Sequence, residues 1–80
     1  MFAFGKRYRK IEELERAVSV CRNNAENNYK DAAQGGYQDF RTRYEELKAK
    51  GALDARQREH YEQLLGELEE AMKGFWHTNH

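Results

Sequence analysis

The 80-residue sequence contains no proline and few of the residue types that β-strands use most. Its only isoleucine, valine and threonine residues are Ile11, Val18, Val20, Thr42 and Thr78. β-Branched residues favour strands, and no segment here alternates apolar and polar residues for long. Helix-forming Glu, Lys, Arg, Gln, Leu and Ala fill the chain instead. The composition therefore predicts an all-α fold.

The sequence also lacks a disulfide framework, a net charge and a long apolar run. Its single cysteine, Cys21, fits a reducing compartment, so we expect a cytoplasmic protein. Basic and acidic side chains number 14 each, which excludes a whole-chain attraction to nucleic acid or to an anionic membrane. No apolar run approaches the roughly 20 residues of a membrane span. The order of apolar and basic residues at the start is not that of a secretion signal.

Sequence signatures of catalysis are missing as well. Gly35-Gly36 is followed by tyrosine rather than by the Lys-Ser/Thr of a phosphate-binding loop. The Gly-x-Ser-x-Gly, His-Glu-x-x-His and acidic Ca²⁺-loop motifs do not occur. His77 and His80 lie near the C-terminus, but a zinc site needs three or four converging ligands. We therefore predict a non-enzymatic protein without catalytic residues, metal site or cofactor.

Apolar residues at alternating intervals of three and four predict a long first helix over about residues 6–33. Its seam consists of Ile11, Leu14, Val18, Cys21, Ala25 and Ala32. Asn28 takes the remaining seam position, where a polar residue can set the register between two chains. This helix would be about twice as long as the next one. Its polar second half would then either overhang a bundle in solvent or pack against a second copy.

A glycine pair, Gly35-Gly36, is the predicted end of this helix, because glycine accepts the left-handed conformation that follows many helices. A second stripe of apolar residues then predicts a helix over about residues 37–50: Tyr37, Phe40, Tyr44 and Leu47. Gly51 is the predicted stop of that helix, with cations in its last turn.

Asp54 and Gln57 have the spacing of a capping box and predict a third helix over about residues 54–73, with Gly74 as its stop. The short connection makes the second and third helices an antiparallel hairpin. We predict one helical domain, with an arm over residues 1–5 and a tail over residues 74–80. Its architecture is a long N-terminal helix plus a helical hairpin, bundle-like or coiled-coil-like, that self-associates.

The zero net charge conceals two oppositely charged clusters. The basic cluster consists of Lys6, Arg7, Arg9 and Lys10, and residues 59–70 contain five glutamates with no Lys or Arg among them. In an up-down-up bundle the first and third helices are parallel, so the clusters would lie at opposite ends. An antiparallel homodimer, or partners of opposite charge, would compensate them.

These features predict a protein-interaction module that docks on a larger protein and regulates or inhibits it, of the kind that a phage or mobile element encodes. The predicted partner-binding residues are Lys6, Arg7, Tyr8, Arg9, Lys10, Tyr37 and Trp76. Tyrosine and tryptophan are enriched at interfaces, and Trp76 follows the predicted helix stop. Two alternatives use the basic cluster differently. It could bind phosphates of a nucleic acid, or, less favoured, lie on an anionic membrane surface.

Overall fold

The computed structural model describes the backbone of residues 8–77 and the side chains of residues 8–74. Three helices form this part of the chain: α1, Glu12–Glu26; α2, Lys30–Ala49; and α3, Ala55–His77. No strand lies within residues 8–77. The fold is an all-α helical bundle, as the composition predicts. The predicted arm over residues 1–5 lies outside the described residues.

The first helix is much shorter than predicted, because it ends at Glu26 rather than near residue 33. Asn28 has a φ of 63°, a left-handed conformation that asparagine tolerates better than most residues. The Tyr29 amide donates to the Asn24 carbonyl at 2.8 Å and the Asn28 amide to the Ala25 carbonyl at 3.1 Å, the pattern of a Schellman stop. The prediction that Asn28 lies on a helix seam is therefore wrong, and α1, with 15 residues, lacks the predicted long overhang.

The predicted break at Gly35-Gly36 is also wrong, because α2 runs through both glycines. A Cβ at Gly36 would lie 2.7 Å from the Cys21 backbone nitrogen, whereas a Cβ at Gly35 would meet nothing within 4 Å. Gly36 is thus a contact point where α2 passes close to α1. The second helix consequently begins at Lys30 instead of Tyr37.

The connection between α2 and α3 agrees with the sequence. Gly51 has a φ of 69°, and the Ala52 amide donates to the Leu47 carbonyl at 3.0 Å, which completes a second Schellman stop. Asp54 Oδ1 accepts from the Gln57 amide, and Gln57 Oε1 accepts from the Asp54 amide, both at 2.8 Å. This reciprocal pair is the predicted capping box.

The third helix is longer than predicted and continues through Gly74 to His77, so Gly74 is not its stop. A Cβ at Gly74 would meet nothing within 4 Å. An isolated glycine costs a helix about 1 kcal/mol, a cost that the rest of a long helix outweighs. Trp76 therefore lies within α3 rather than in a tail.

The three helices share one core, which contains most of the predicted apolar stripes. Its buried side chains are Leu14, Ala17, Val18, Cys21, Ala33, Tyr37, Phe40, Tyr44, Leu53, Tyr61, Leu64, Leu68 and Met72. The Glu13–Arg43 ion pair and the Cys21–Gly36 approach make α1 and α2 antiparallel. Glu15 contacts Tyr61 near the start of both helices and Arg22 pairs with Glu67 further along both, so α3 is parallel to α1, as the up-down-up arrangement requires.

Candidate interaction surfaces

Gln57 joins the N-terminal basic segment, Tyr8 to Lys10, to the first turn of α3. Its Oε1 and backbone amide complete the capping box with Asp54, and its side chain is buried. Its Nε2 donates to the Arg9 carbonyl oxygen at 2.9 Å, across 48 positions of sequence. One amide side chain thus caps a helix and holds the basic segment against it.

Tyr8 makes the second attachment of this segment. Its ring stacks on His60 with centroids 3.7 Å apart and an interplanar angle of 19°. It also meets the edge of Tyr61, with centroids 5.5 Å apart. Aromatic pairs of these geometries contribute on the order of 0.5–1.5 kcal/mol beyond their buried area. Tyr8 is partly buried against the core.

The carboxylate of Glu15 completes the attachment from α1. Its Oε2 accepts hydrogen bonds from the Tyr61 hydroxyl at 2.7 Å and from the Tyr8 hydroxyl at 3.0 Å. The Tyr61 oxygen in turn accepts the Ile11 amide at 3.0 Å, which satisfies one of the free amides at the start of α1. Tyr8, α1 and α3 are therefore fixed together by one polar cluster.

The same cluster disfavours ionisation of both phenols. Burial first, and then the hydrogen bond to Glu15, raises the pKa of Tyr8. Burial raises the pKa of Tyr61 more strongly, and the neighbouring Glu15 adds to this rise, although the Ile11 amide opposes it. Both hydroxyls consequently remain donors throughout the physiological pH range.

The structure describes two of the four residues of the predicted basic cluster. Arg9 and Lys10 are exposed beside the anchored backbone. Lys6 and Arg7 lie outside the described residues. Tyr8, predicted as a binding residue, mainly contacts the chain itself through His60 and Tyr61.

The other two predicted binding residues have different surroundings. Tyr37 is 7% exposed and belongs to the core, so its surface is used mainly within the chain. It borders a shallow groove between α2 and α3 together with Arg41 and Met72. Trp76 lies in α3, but its side chain is outside the described residues.

Three of the five glutamates predicted as an uncompensated cluster on α3 have a basic side chain close by, so the cluster is partly compensated. Glu62 lies 3.6 Å from Lys48 and accepts the Tyr44 hydroxyl at 2.6 Å. Glu67 pairs with Arg22 at 3.7 Å, and Glu70 lies 3.5 Å from Lys73. These exposed pairs contribute little stability each, but they supply cations near the acidic side chains.

A groove of about 360 Å³ lies between α1 and α2. Small residues give it depth: Ala17 and Gly36 are buried in it, and Ala32 and Gly35 are exposed along it. Val20 borders it with a 43% exposed side chain. The sequence analysis missed this surface, although small residues near a glycine pair are the composition that allows two helices to approach closely.

Chemically reactive groups are scarce in the described part of the chain. Cys21 is buried, and burial raises the pKa of its thiol, which lowers its reactivity. Among the described residues, no group of three or more His, Cys, Asp and Glu side chains could hold a metal ion. Within residues 8–77, no helix is both long and apolar enough to cross a membrane.

Comparison with known proteins found no match among protein families, curated proteins or solved structures.

Proposed function

We propose that this chain is a non-enzymatic protein-interaction module of the cytoplasm, which docks on a larger protein through its N-terminal basic segment and so regulates or inhibits it. The observation that supports this proposal most is the attachment of that segment. Tyr8 stacks on His60, and Gln57 holds the Arg9 carbonyl oxygen. A segment that is fixed before binding loses less conformational freedom on docking than a free arm does.

The proposed target is a localised acidic patch on a protein. One residue, Ile11, separates Arg9 and Lys10 from Glu12 and Glu13, which are exposed in the first turn of α1. An extended polyanion lying along this end would meet these carboxylates as well as the cations. A protein surface can match the cations and avoid the carboxylates, which is how charge complementarity gives specificity.

A pair of charge variants tests the surface. Arg9→Gln/Lys10→Gln removes two cations from the basic segment, and Arg22→Gln/Lys73→Gln removes two cations from the opposite end of the bundle. In quantitative pull-downs, proteins retained by the wild type should be lost with the first variant and kept by the second. Equal losses with both variants would mean that net charge alone governs retention, and they would contradict the proposal.

A third variant tests the attachment separately from the charge. Tyr8→Ala keeps every charge but removes the ring that stacks on His60, so we expect weaker retention of the same proteins. Tyr8→Phe is the matched control, because it keeps the ring and loses only the hydrogen bond to Glu15. Wild-type retention by Tyr8→Ala would show that the stacking of Tyr8 on His60 contributes nothing to binding.

Direct binding assays distinguish the other uses of the basic segment. A duplex oligonucleotide that binds with a steep salt dependence, and is released by Arg9→Gln/Lys10→Gln, would replace the protein target with nucleic acid. Co-sedimentation with anionic but not with neutral vesicles would replace it with a membrane surface. We expect neither at physiological salt.

A further inference from the structure

The groove between α1 and α2 is a second exposed surface, distinct from the basic segment. Its apolar part consists of Val20 and the small residues Ala17, Ala32, Gly35 and Gly36. No residue of α3 lines it. The groove therefore faces outward from the pair α1 and α2, and nothing in the described part of the chain fills it.

The charged residues of the groove lie at two heights along the bundle axis, and each height is called a level here. Arg43 pairs with Glu13 at 3.0 Å, which puts these two side chains at one level. Arg16 lies three residues further along α1, and Asp39 lies four residues back along the antiparallel α2. At 1.5 Å per residue these steps are about 4.5 and 6 Å, so Arg16 and Asp39 share the next level.

Each of these two levels thus has one cation and one anion, on different helices. The charges alternate as well, because Glu13 lies below Arg16 on α1 and Arg43 lies below Asp39 on α2. Arg43 also pairs with Asp39 at 2.9 Å, whereas no ion pair links Arg16 to another described residue. Arg16 is therefore a cation at the edge of the groove that can pair with an acidic side chain of an incoming surface.

In the apolar part of the groove, complementary residues of α1 and α2 also lie at the same level. The approach of Gly36 to Cys21 places Val20 close to the level of Gly35 and Gly36. Val20 projects on α1 with 43% of its surface exposed, and the α2 residues that line the groove at its level are the glycines Gly35 and Gly36. A protruding side chain and a recess therefore lie side by side on one face.

If two copies are related by a two-fold axis parallel to the helices, the groove face of one copy is complementary to the groove face of the other. It sets α1 of one copy opposite α2 of the other at the same level. Glu13 then faces Arg43 of the second copy, and Arg16 faces its Asp39. Val20 of each copy enters the recess at Gly35 of the other.

The alternative axis, perpendicular to the helices, matches the face poorly. It would place α1 opposite α1 with the levels reversed, so the charged end of one groove would lie over the apolar end of the other. The antiparallel dimer expected from the sequence therefore does not fit this surface.

We propose that a second copy of this chain occupies the groove in a two-fold dimer whose axis runs parallel to the bundle. This proposal does not depend on the proposed function, because it uses a different surface. It has a consequence for that function, since both basic segments would lie at the same end of the dimer. Two linked sites at one end raise the apparent affinity for a target with two acidic patches.

Complementary charge reversals test this geometry. Arg16→Glu alone sets two carboxylates against each other in both halves of the dimer, and Asp39→Arg alone sets two guanidinium groups against each other. Each single variant should therefore have a dimer dissociation constant at least tenfold higher than the wild type. An equimolar mixture should form a one-to-one heterodimer of near wild-type affinity, because every facing pair is then of opposite charge.

Sedimentation equilibrium over a concentration series measures these constants, and native mass spectrometry measures the composition of the mixed dimer. Arg22→Glu is the matched control, since it makes the same charge change on α1 outside the groove. Circular dichroism establishes that each variant remains helical. The proposal is overturned by a wild type that is monomeric throughout, by single variants that dimerise normally, or by a mixture that does not restore the dimer.

Discussion

Gly36 shows how a single residue sets the distance between two helices. A Cβ at this position would lie 2.7 Å from the Cys21 nitrogen and 2.9 Å from its Cα, closer than Cβ atoms come to backbone atoms. The obstacle is backbone, which cannot rotate aside. Gly35, one residue earlier, has open space at the same position.

Gly36→Ala should therefore lower the free energy of unfolding by about 1–3 kcal/mol, the cost of overpacking a tight contact. Gly35→Ala should raise it by about 0.5–1 kcal/mol, because alanine is the better helix former. Gly66→Ala, in open space on α3, is a reference outside the groove. Urea denaturation followed by circular dichroism measures all three. Similar effects at positions 35 and 36 would refute the close approach of α1 and α2.

Tyr44 makes a prediction about alkaline pH. Burial, followed by the hydrogen bond to Glu62, raises its pKa from 10.0 to about 12. The folded chain therefore holds this proton more tightly than the unfolded chain does. The resulting stabilisation is complete below about pH 10 and is lost as the pH rises toward 12.

Tyr44→Phe should reduce the loss of stability between these two pH values. At neutral pH it should cost about 1 kcal/mol for the lost hydrogen bond. Unfolding free energies measured from pH 9 upward give both quantities, with Tyr29→Phe as a control that removes an exposed phenol. An unchanged slope in Tyr44→Phe would assign the alkaline sensitivity to other groups.

At the scale of the helices, the end of α1 depends on asparagine rather than on glycine. Asn24 and Asn27 each donate from Nδ2 to a carbonyl four residues earlier at 2.8 Å, and Asn28 takes the left-handed conformation. Asparagine side chains compete for backbone groups in this way and favour turns over helix interiors. The polar segment that looked like a weak helix seam is a turn for this reason.

Asn28→Gly should preserve or raise stability, whereas Asn28→Ala should lower it by roughly 1–2 kcal/mol, the penalty for a Cβ in the left-handed conformation. Gly51→Ala, at the other left-handed residue, should show a similar loss. Asn23→Ala, within α1, controls for the removal of an exposed asparagine. Thermal unfolding measures all four variants. A stable Asn28→Ala would favour a helix that continues through this position.

Local spacing explains which elements the sequence predicts correctly. The stripe of Tyr37, Phe40 and Tyr44 and the capping box of Asp54 and Gln57 both follow from intervals of three or four residues. The predicted break at Gly35-Gly36 is wrong because glycine can either end a helix or allow two helices to pack closely. Here Gly36 allows close packing, and the helix continues. A tertiary contact, invisible in local spacing, decides between them.

The attachment of the basic segment could not be predicted for a related reason. Gln57 and the Arg9 carbonyl are 48 positions apart, and Tyr61 and Glu15 are 46 apart. Polar contacts of this range have no periodicity, since any of several surface side chains would look equivalent in sequence. Only the parallel arrangement of α1 and α3 brings them together.

At the scale of the whole molecule, the positive and negative charges are distributed so that exposed cations remain on two surfaces. Ion pairs with Lys48, Arg22 and Lys73 accompany glutamates of α3. Arg9 and Lys10 remain exposed at one end, and Arg16 is exposed along the groove. The basic end and the groove are separate surfaces, so a dimer could present both basic segments to one target.

The contact between Tyr8 and His60 tests the central claim most directly, because the proposed function depends on a basic segment that is fixed to the bundle. The measurement is the nuclear Overhauser effect between the aromatic protons of the two rings in the wild-type protein. The account predicts strong cross-peaks, since the ring centroids are 3.7 Å apart. Absence of these cross-peaks, with the chemical shifts of α1 and α3 still helical, would show a free basic arm and would contradict the account.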